Sequence, residues 1–150
     1  FTGDFAGDLL YRTLTAHGFA RGHYDRSADD GLTLARCRIT NAVRCVPPQN
    51  RPTATEINTC RSFLRHEIAS LPNLRAILAL GTIAHRSVVA ALDARQAAYP
   101  FAHGALHSPP GRFTLADSYH CSRYNTNTGR LTVEMFDAVV ARVRELIDGD

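Results

Sequence analysis

NLRAILALGTIAHRSVVAALDA, residues 73–94, decides how this chain is read. Its first part is a short, nearly continuous apolar run closed by Gly81, the pattern of a strand buried on both faces. Its second part, from Thr82 to Ala94, reads as a helix leaving that strand. A strand that hands over to a helix in this way begins a crossover, and crossovers build parallel sheets.

Working outward, the neighbouring segments fit the same scheme. Upstream, Thr53-Ala-Thr-Glu56 has the capping-box pattern, and Ile57, Cys60, Leu64, Ile68 and Leu71 follow at helical spacing. Before it, VPPQNRP (46–52) is excluded from any helix by its three prolines. ARCRITNAV (35–43) mixes β-branched and polar residues as a strand does, and RGHYDRSADDG (21–31) is a polar surface loop. Phe5 to Phe19 reads as a helix with Phe5, Leu9, Leu10 and Leu14 on one side and Gly18 as its stop. Downstream, the SPPG turn leads to a third strand, RFTLADSYH (112–120), and then to a final amphipathic helix from Thr132 to Ile147. Phe136, Val139, Val140, Val143 and Ile147 form its inward face.

Alternating strands and helices predict an α/β fold: a three-layer α/β/α sandwich with a small central parallel sheet. Residues 1–150 are expected to form a single domain, with a further strand before residue 1 completing the sheet. In open parallel sheets ligands bind beyond the carboxyl ends of the strands. Here those ends carry Asn41 and Cys45, then Gly81, then His120.

Composition narrows the function class. Hydrophobic residues make up 45% of the 150, enough for a core. No apolar run approaches the roughly 20 residues that span a bilayer, and FTGDFAGD has neither the basic end nor the apolar run of a signal peptide. All 17 basic residues are arginine, whose fork of donors suits phosphate. A formal net charge of +3 does not by itself establish a nucleic-acid partner. Cysteines stand at 37, 45, 60 and 121, and in a chain of this length they read as buried thiols or metal ligands rather than a disulfide framework.

YHCSRYNTNTGRLT (119–132) places His120 at a strand end, followed by Cys121, Ser122, Asn125 and Gly129, residues of a tight loop with exposed backbone donors. Arg123 and Tyr124 add a cation and a flat stacking surface. Such a loop suits a duplex groove and an extruded base, or else it simply caps the last helix. Asn41 offers one acceptor and two donors, a match for the uracil edge, though an asparagine also closes turns. Phe1 has the ring to stack on a base. Asp4 has the carboxylate to orient water, and is equally a natural cap for the helix after it. Cys45 and Cys60 flank the proline-rich loop; thiols so placed can be half of a tetrathiolate iron–sulfur site, but two alone do not hold a cluster.

With these residues in view, the chain resembles the family 5 (type b) uracil-DNA glycosylases, along essentially its whole length. ITNAVRCVPPQNRPTATEINTCRSFL looks like the family's asparagine motif joined to its second pair of cluster cysteines, HCSRYNTNTGRLT looks like its last motif, and FTGD matches the end of its first motif region. The resemblance implies that Phe1 stacks on flipped uracil and Asn41 reads its edge. It implies that Asp4 assists water attack at C1′ and that His120 hydrogen-bonds uracil O2 as charge builds on the leaving base. Ser122, Arg123 and Asn125 would meet DNA in the minor-groove loop, and Ser108 would contact phosphate. Cys45 and Cys60 would ligate a structural 4Fe-4S cluster, with two further ligands expected upstream of residue 1 together with the family's glycine-rich first motif. Cys121 replaces the family's proline after the histidine, which leaves that loop backbone less fixed.

The implied protein is a monomeric DNA repair enzyme of the bacterial cytoplasm, working on uracil-containing DNA at the nucleoid and not at a membrane. Two other readings fit part of the inventory: a non-catalytic damaged-base or DNA-binding module on the same fold, and an iron–sulfur redox protein.

Overall fold

The computed structural model describes residues 5–22, 32–40 and 54–149, and the side chains of all of these except 5–6 and 56–60. They fall into two compact units, Thr40–Ser118 and Phe1–Ile39 with Tyr119–Asp150. The fold class is α/β, as expected.

The first unit holds helix α2 (Ala54–Ala69), strand β3 (Ala76–Leu80), helix α3 (Thr82–Ala91), a short 3-10 turn at Gln96–Ala98, strand β4 (Leu106–His107) and strand β5 (Thr114–Ser118). β5 is central. It pairs in parallel with β3, from Ala76 opposite Thr114 to Leu80 opposite Ser118. On its other side it pairs antiparallel with β4, Leu106 opposite Ala116 and His107 opposite Leu115. The parallel pair is the one that the 73–94 reading required. The sheet as a whole is mixed, because the two-residue β4 adds an antiparallel edge that no periodicity announces.

Gly81 makes the strand-to-helix turn. Its φ is 97°, in the region that favours glycine, its N–H donates to Ser118 O at 2.8 Å, and its own carbonyl accepts from His85 N. Leu64 of α2, Val88, Val89 and Ala91 of α3, Ala79 of β3 and Leu115 of β5 then bury one another in a single cluster. Each of the larger of these side chains contributes about 1.5–3 kcal/mol by leaving water. Thr53, the expected cap of α2, lies outside the described residues.

The second unit holds α1 (Phe5–Ala16), the two-residue strands β1 (Ala20–Arg21) and β2 (Thr33–Leu34), the short helix α4 (Arg123–Asn127) and α5 (Val133–Asp148). α1 stops at Ala16 because Gly18 turns to a φ of 80° and Phe19 N reaches back to Leu14 O at 2.8 Å, so Phe19 lies past the helix. α5 starts on Thr132, whose Oγ accepts from Met135 N at 3.1 Å. Its Phe136, Val139, Val140 and Val143 are buried, as are Leu9, Leu10 and Leu14 of α1. Ile147, the penultimate residue of α5, is only half-buried.

The expected strand at 35–43 did not form where it is described. Pairing lies instead at β1 and β2, antiparallel, Ala20 opposite Leu34 and Arg21 opposite Thr33. Arg36 adopts a φ of 56°, which no extended strand accommodates, and residues 37–40 carry no strand. Arg21 thus belongs to a strand rather than to a loop, and residues 41–43 lie outside the described set. Among the described residues no helix is long and apolar enough to cross a membrane.

Candidate active site

The segment after β5 is a self-bonded element. The Asn125 side-chain amide donates to His120 O at 2.8 Å. Ser122 caps α4, its Oγ accepting from Asn125 N at 3.2 Å. Leu131 N closes back onto Asn125 O at 3.0 Å, and the Leu131 side chain is buried. Thr126 and Thr128 return their hydroxyls to the carbonyls of Ser122 and Tyr124. The Arg130 guanidinium lies 5.6 Å above the Tyr119 ring, joining the residue before His120 to the residue after the turn. Cys121 is fully buried and anchors the segment from below.

This arrangement decides which groups face water. Arg123 is exposed on the first turn of α4, and Tyr124 beside it is 73% exposed, the most exposed of the large apolar side chains among the described residues. A cation and an aromatic face held on a capped turn can meet a phosphate and a base at once. His120 and Ser122 are half-buried. The expected tight loop is therefore a capped helical turn, since the Ser122 hydroxyl accepts the backbone N–H three residues on and so satisfies one of the first N–H groups of the helix. Asn125, expected at the DNA, commits its side-chain N–H to the His120 carbonyl. A proline is not needed here to hold the backbone: the asparagine clamp acts on the same peptide.

Ser108, in the other unit, is exposed just after β4 and is followed by the buried Pro109. Beneath this stretch lies a centre that sequence reading did not single out. Asp117, fully buried in β5, places Oδ1 2.7 Å from His85 Nδ1 and Oδ2 2.8 Å from His107 Nε2. His85 Nε2 lies 2.6 Å from Tyr99 O, and Ala102 N donates to Asp117 Oδ2 at 3.4 Å. A carbonyl only accepts, so His85 Nε2 carries a hydrogen, and one proton is shared between its Nδ1 and the carboxylate. The donor atoms of His85, His107 and Asp117 all lie within 4.8 Å of one another, the one group among the described residues close enough to hold a metal ion, and it contains no cysteine. The signal for it was an aspartate in the middle of the apolar run FTLADS, where a carboxylate survives only with donors around it.

Phe1, Asp4, Asn41 and Cys45 lie outside the described residues. Cys60 sits on α2, its side chain outside the described set. Of the other two cysteines, neither in a disulfide, Cys121 is buried in the core and Cys37 is half-buried. Burial pushes the Cys37 thiol above its ordinary pKa.

Comparison with known proteins brings these features under one heading. The chain is 42% identical over 146 residues to the type-5 uracil-DNA glycosylase of Thermus thermophilus, covering 97% of this chain and 66% of that protein. It is 44% identical over 142 residues to the type-5 uracil-DNA glycosylase of Pyrobaculum aerophilum, covering 95% and 61%. To the type-5 uracil-DNA glycosylase of Mycobacterium tuberculosis it is 38% identical over 148 residues, covering 97% and 55%. The chain thus spans less than two thirds of the length of each of these relatives. The model of the uracil DNA glycosylase superfamily matches residues 1–144, from FTGD through the His120 segment and most of α5, and the chain belongs to that superfamily.

Proposed function

We propose that this chain carries the catalytic machinery of a DNA repair glycosylase that hydrolyses the N-glycosidic bond of uracil in DNA. The observation that supports this reading best is the capped turn directly after His120, which presents Arg123 and Tyr124 to water in a chain of this superfamily.

The chemistry asks for two things. The bond between the base and C1′ breaks with its electron pair going to the base, so a donor must stand where the base oxygen gains charge. Water must then add to C1′ and give up a proton. His120 supplies the donor to uracil O2. Asp4 orients the water and accepts its proton. Phe1 stacks on the extruded base, and Asn41 pairs with its edge and rejects cytosine, whose donors and acceptors are reversed. Ser122 and Arg123 hold the nucleotide and its phosphates, Asn125 supports them by fixing the turn, and Ser108 meets the backbone elsewhere. Cys45 and Cys60 would hold two corners of a 4Fe-4S cluster, whose role would be structural rather than catalytic. The protein acts as a monomer on DNA in the cytoplasm.

Incubation of the unaltered protein with a duplex holding a single uracil is the direct test. Release of free uracil, leaving an abasic site, is expected. Retention of the duplex without release would mark a binding module instead. Arg123→Ala is expected to weaken duplex binding evenly across sequences and to lower the slope of log K against log salt by about 0.9, the value for one phosphate contact. An unchanged slope would show that Arg123 touches no phosphate.

A further inference from the structure

We infer that Asp117, with His85 and His107, is the positioning centre of the segment from Tyr99 to Ser108, and through it of the phosphate contact assigned to Ser108; this rests on the glycosylase reading above. The segment has little regular structure of its own, only the two residues of β4. Strand pairing that short does not hold a chain in place. What holds it is one residue of the neighbouring strand.

Asp117 reaches the segment through every polar atom it has. Its carboxylate is bonded to the Ala102 N–H and to the His107 ring, and through His85 it reaches the Tyr99 carbonyl. Its backbone carbonyl accepts from Gly104 N at 2.9 Å, and its own N–H donates to Ala105 O at 3.0 Å. Five points from residue 99 to residue 107 are thereby tied to one residue, through its side chain and its two flanking peptides. The rings add shape: Phe101 meets His85 edge-on at 5.6 Å, and Tyr99 meets His107 edge-on at 5.9 Å. Ser108, an exposed residue, follows His107 directly and precedes buried Pro109, so its backbone is fixed from both sides.

A metal ion is the other use for two imidazoles and a carboxylate. Here the shared proton already joins Asp117 to His85, the second His85 nitrogen is committed to a carbonyl, and Asp117 Oδ2 meets both His107 and Ala102. The group is satisfied as a hydrogen-bond network, and a buried network with every member matched rigidifies what it touches.

A double-mutant cycle on duplex affinity tests this. Ser108→Ala is expected to weaken binding of a uracil-free duplex about five-fold, the range of one hydrogen bond. His107→Leu, which removes the donor to Asp117 Oδ2, is expected to cost about the same. Adding Ser108→Ala to His107→Leu should then change nothing further, because the hydroxyl is already displaced. His107→Gln keeps an N–H for Oδ2 and should bind close to the unaltered protein. Independent losses, multiplying to about twenty-five-fold in the double variant, would overturn the proposal, since sites that do not share a structure add. So would unchanged binding in folded His107→Leu.

Should His107→Leu not fold, amide exchange in the unaltered protein decides. Ala102 and Gly104 N–H should exchange as slowly as those of β5, and rapid exchange would sink the network as an anchor. That measurement needs no DNA. Failure of the unaltered protein to bind any duplex would instead remove the glycosylase reading and the Ser108 part with it, while leaving the anchor to be judged by exchange alone.

Discussion

Replacing His120 with alanine is expected to slow uracil release from a single-uracil duplex by about 100- to 1,000-fold, the usual loss when one donor to a developing oxyanion is removed. The fold should survive. One bond that fixes this residue in the turn runs to its backbone carbonyl, from Asn125, and an alanine keeps that carbonyl. The Ser122 cap and the Leu131 closure do not involve the ring. Thermal unfolding should therefore stay close to that of the unaltered protein while the single-turnover rate collapses. A near-normal rate would remove His120 from the role of donor to the leaving base. A collapse in both would say that the ring holds the turn, and the two readouts together separate chemistry from architecture.

The largest expected effect on stability is that of Phe136→Ala. Phe136 heads the fully buried side chains by size, on the inward face of α5 and in the same unit as the buried α1 leucines. Truncation removes the whole ring from a close-packed interior and leaves a cavity. The cost should be about 3–5 kcal/mol. Against a total of about 5–15 kcal/mol for a domain, that is a large share. Urea unfolding at constant slope reads it directly. A loss below about 1 kcal/mol would show that the α1–α5 layer collapses around the gap far more readily than close packing predicts.

What could be read in advance depended on how far apart the cooperating residues lie. The strand and helix at 73–94 were legible because every signal for them is local: an apolar run, a glycine, then helical spacing. α5 was legible for the same reason, with four of its five expected inward residues buried. Over 35–40 the expected strand is absent: two-residue pairing at β1 and β2 leaves no periodic trace, and β-branched residues near Ile39 drew the reading toward themselves. β4 escaped notice on the same grounds. In the candidate site, the 119–132 segment was identified by its residue types, but its form as a capped turn depended on bonds among Ser122, Asn125 and Leu131 that composition does not order. The Asp117 network joins residues 10 and 32 positions away from it. Only the misfit of an aspartate inside FTLADS hinted at it, and a misfit does not name its partners.

The turn that carries Arg123 and Tyr124 is stitched to itself before any partner arrives. A recognition surface of that kind surrenders little conformational entropy when it docks, in contrast to a loop that must be ordered on contact. Cutting one of its stitches while leaving both contact residues in place would leave the free protein sampling many arrangements, of which few are competent. The penalty would then fall on the whole encounter, lowering apparent affinity by the fraction of molecules still correctly arranged.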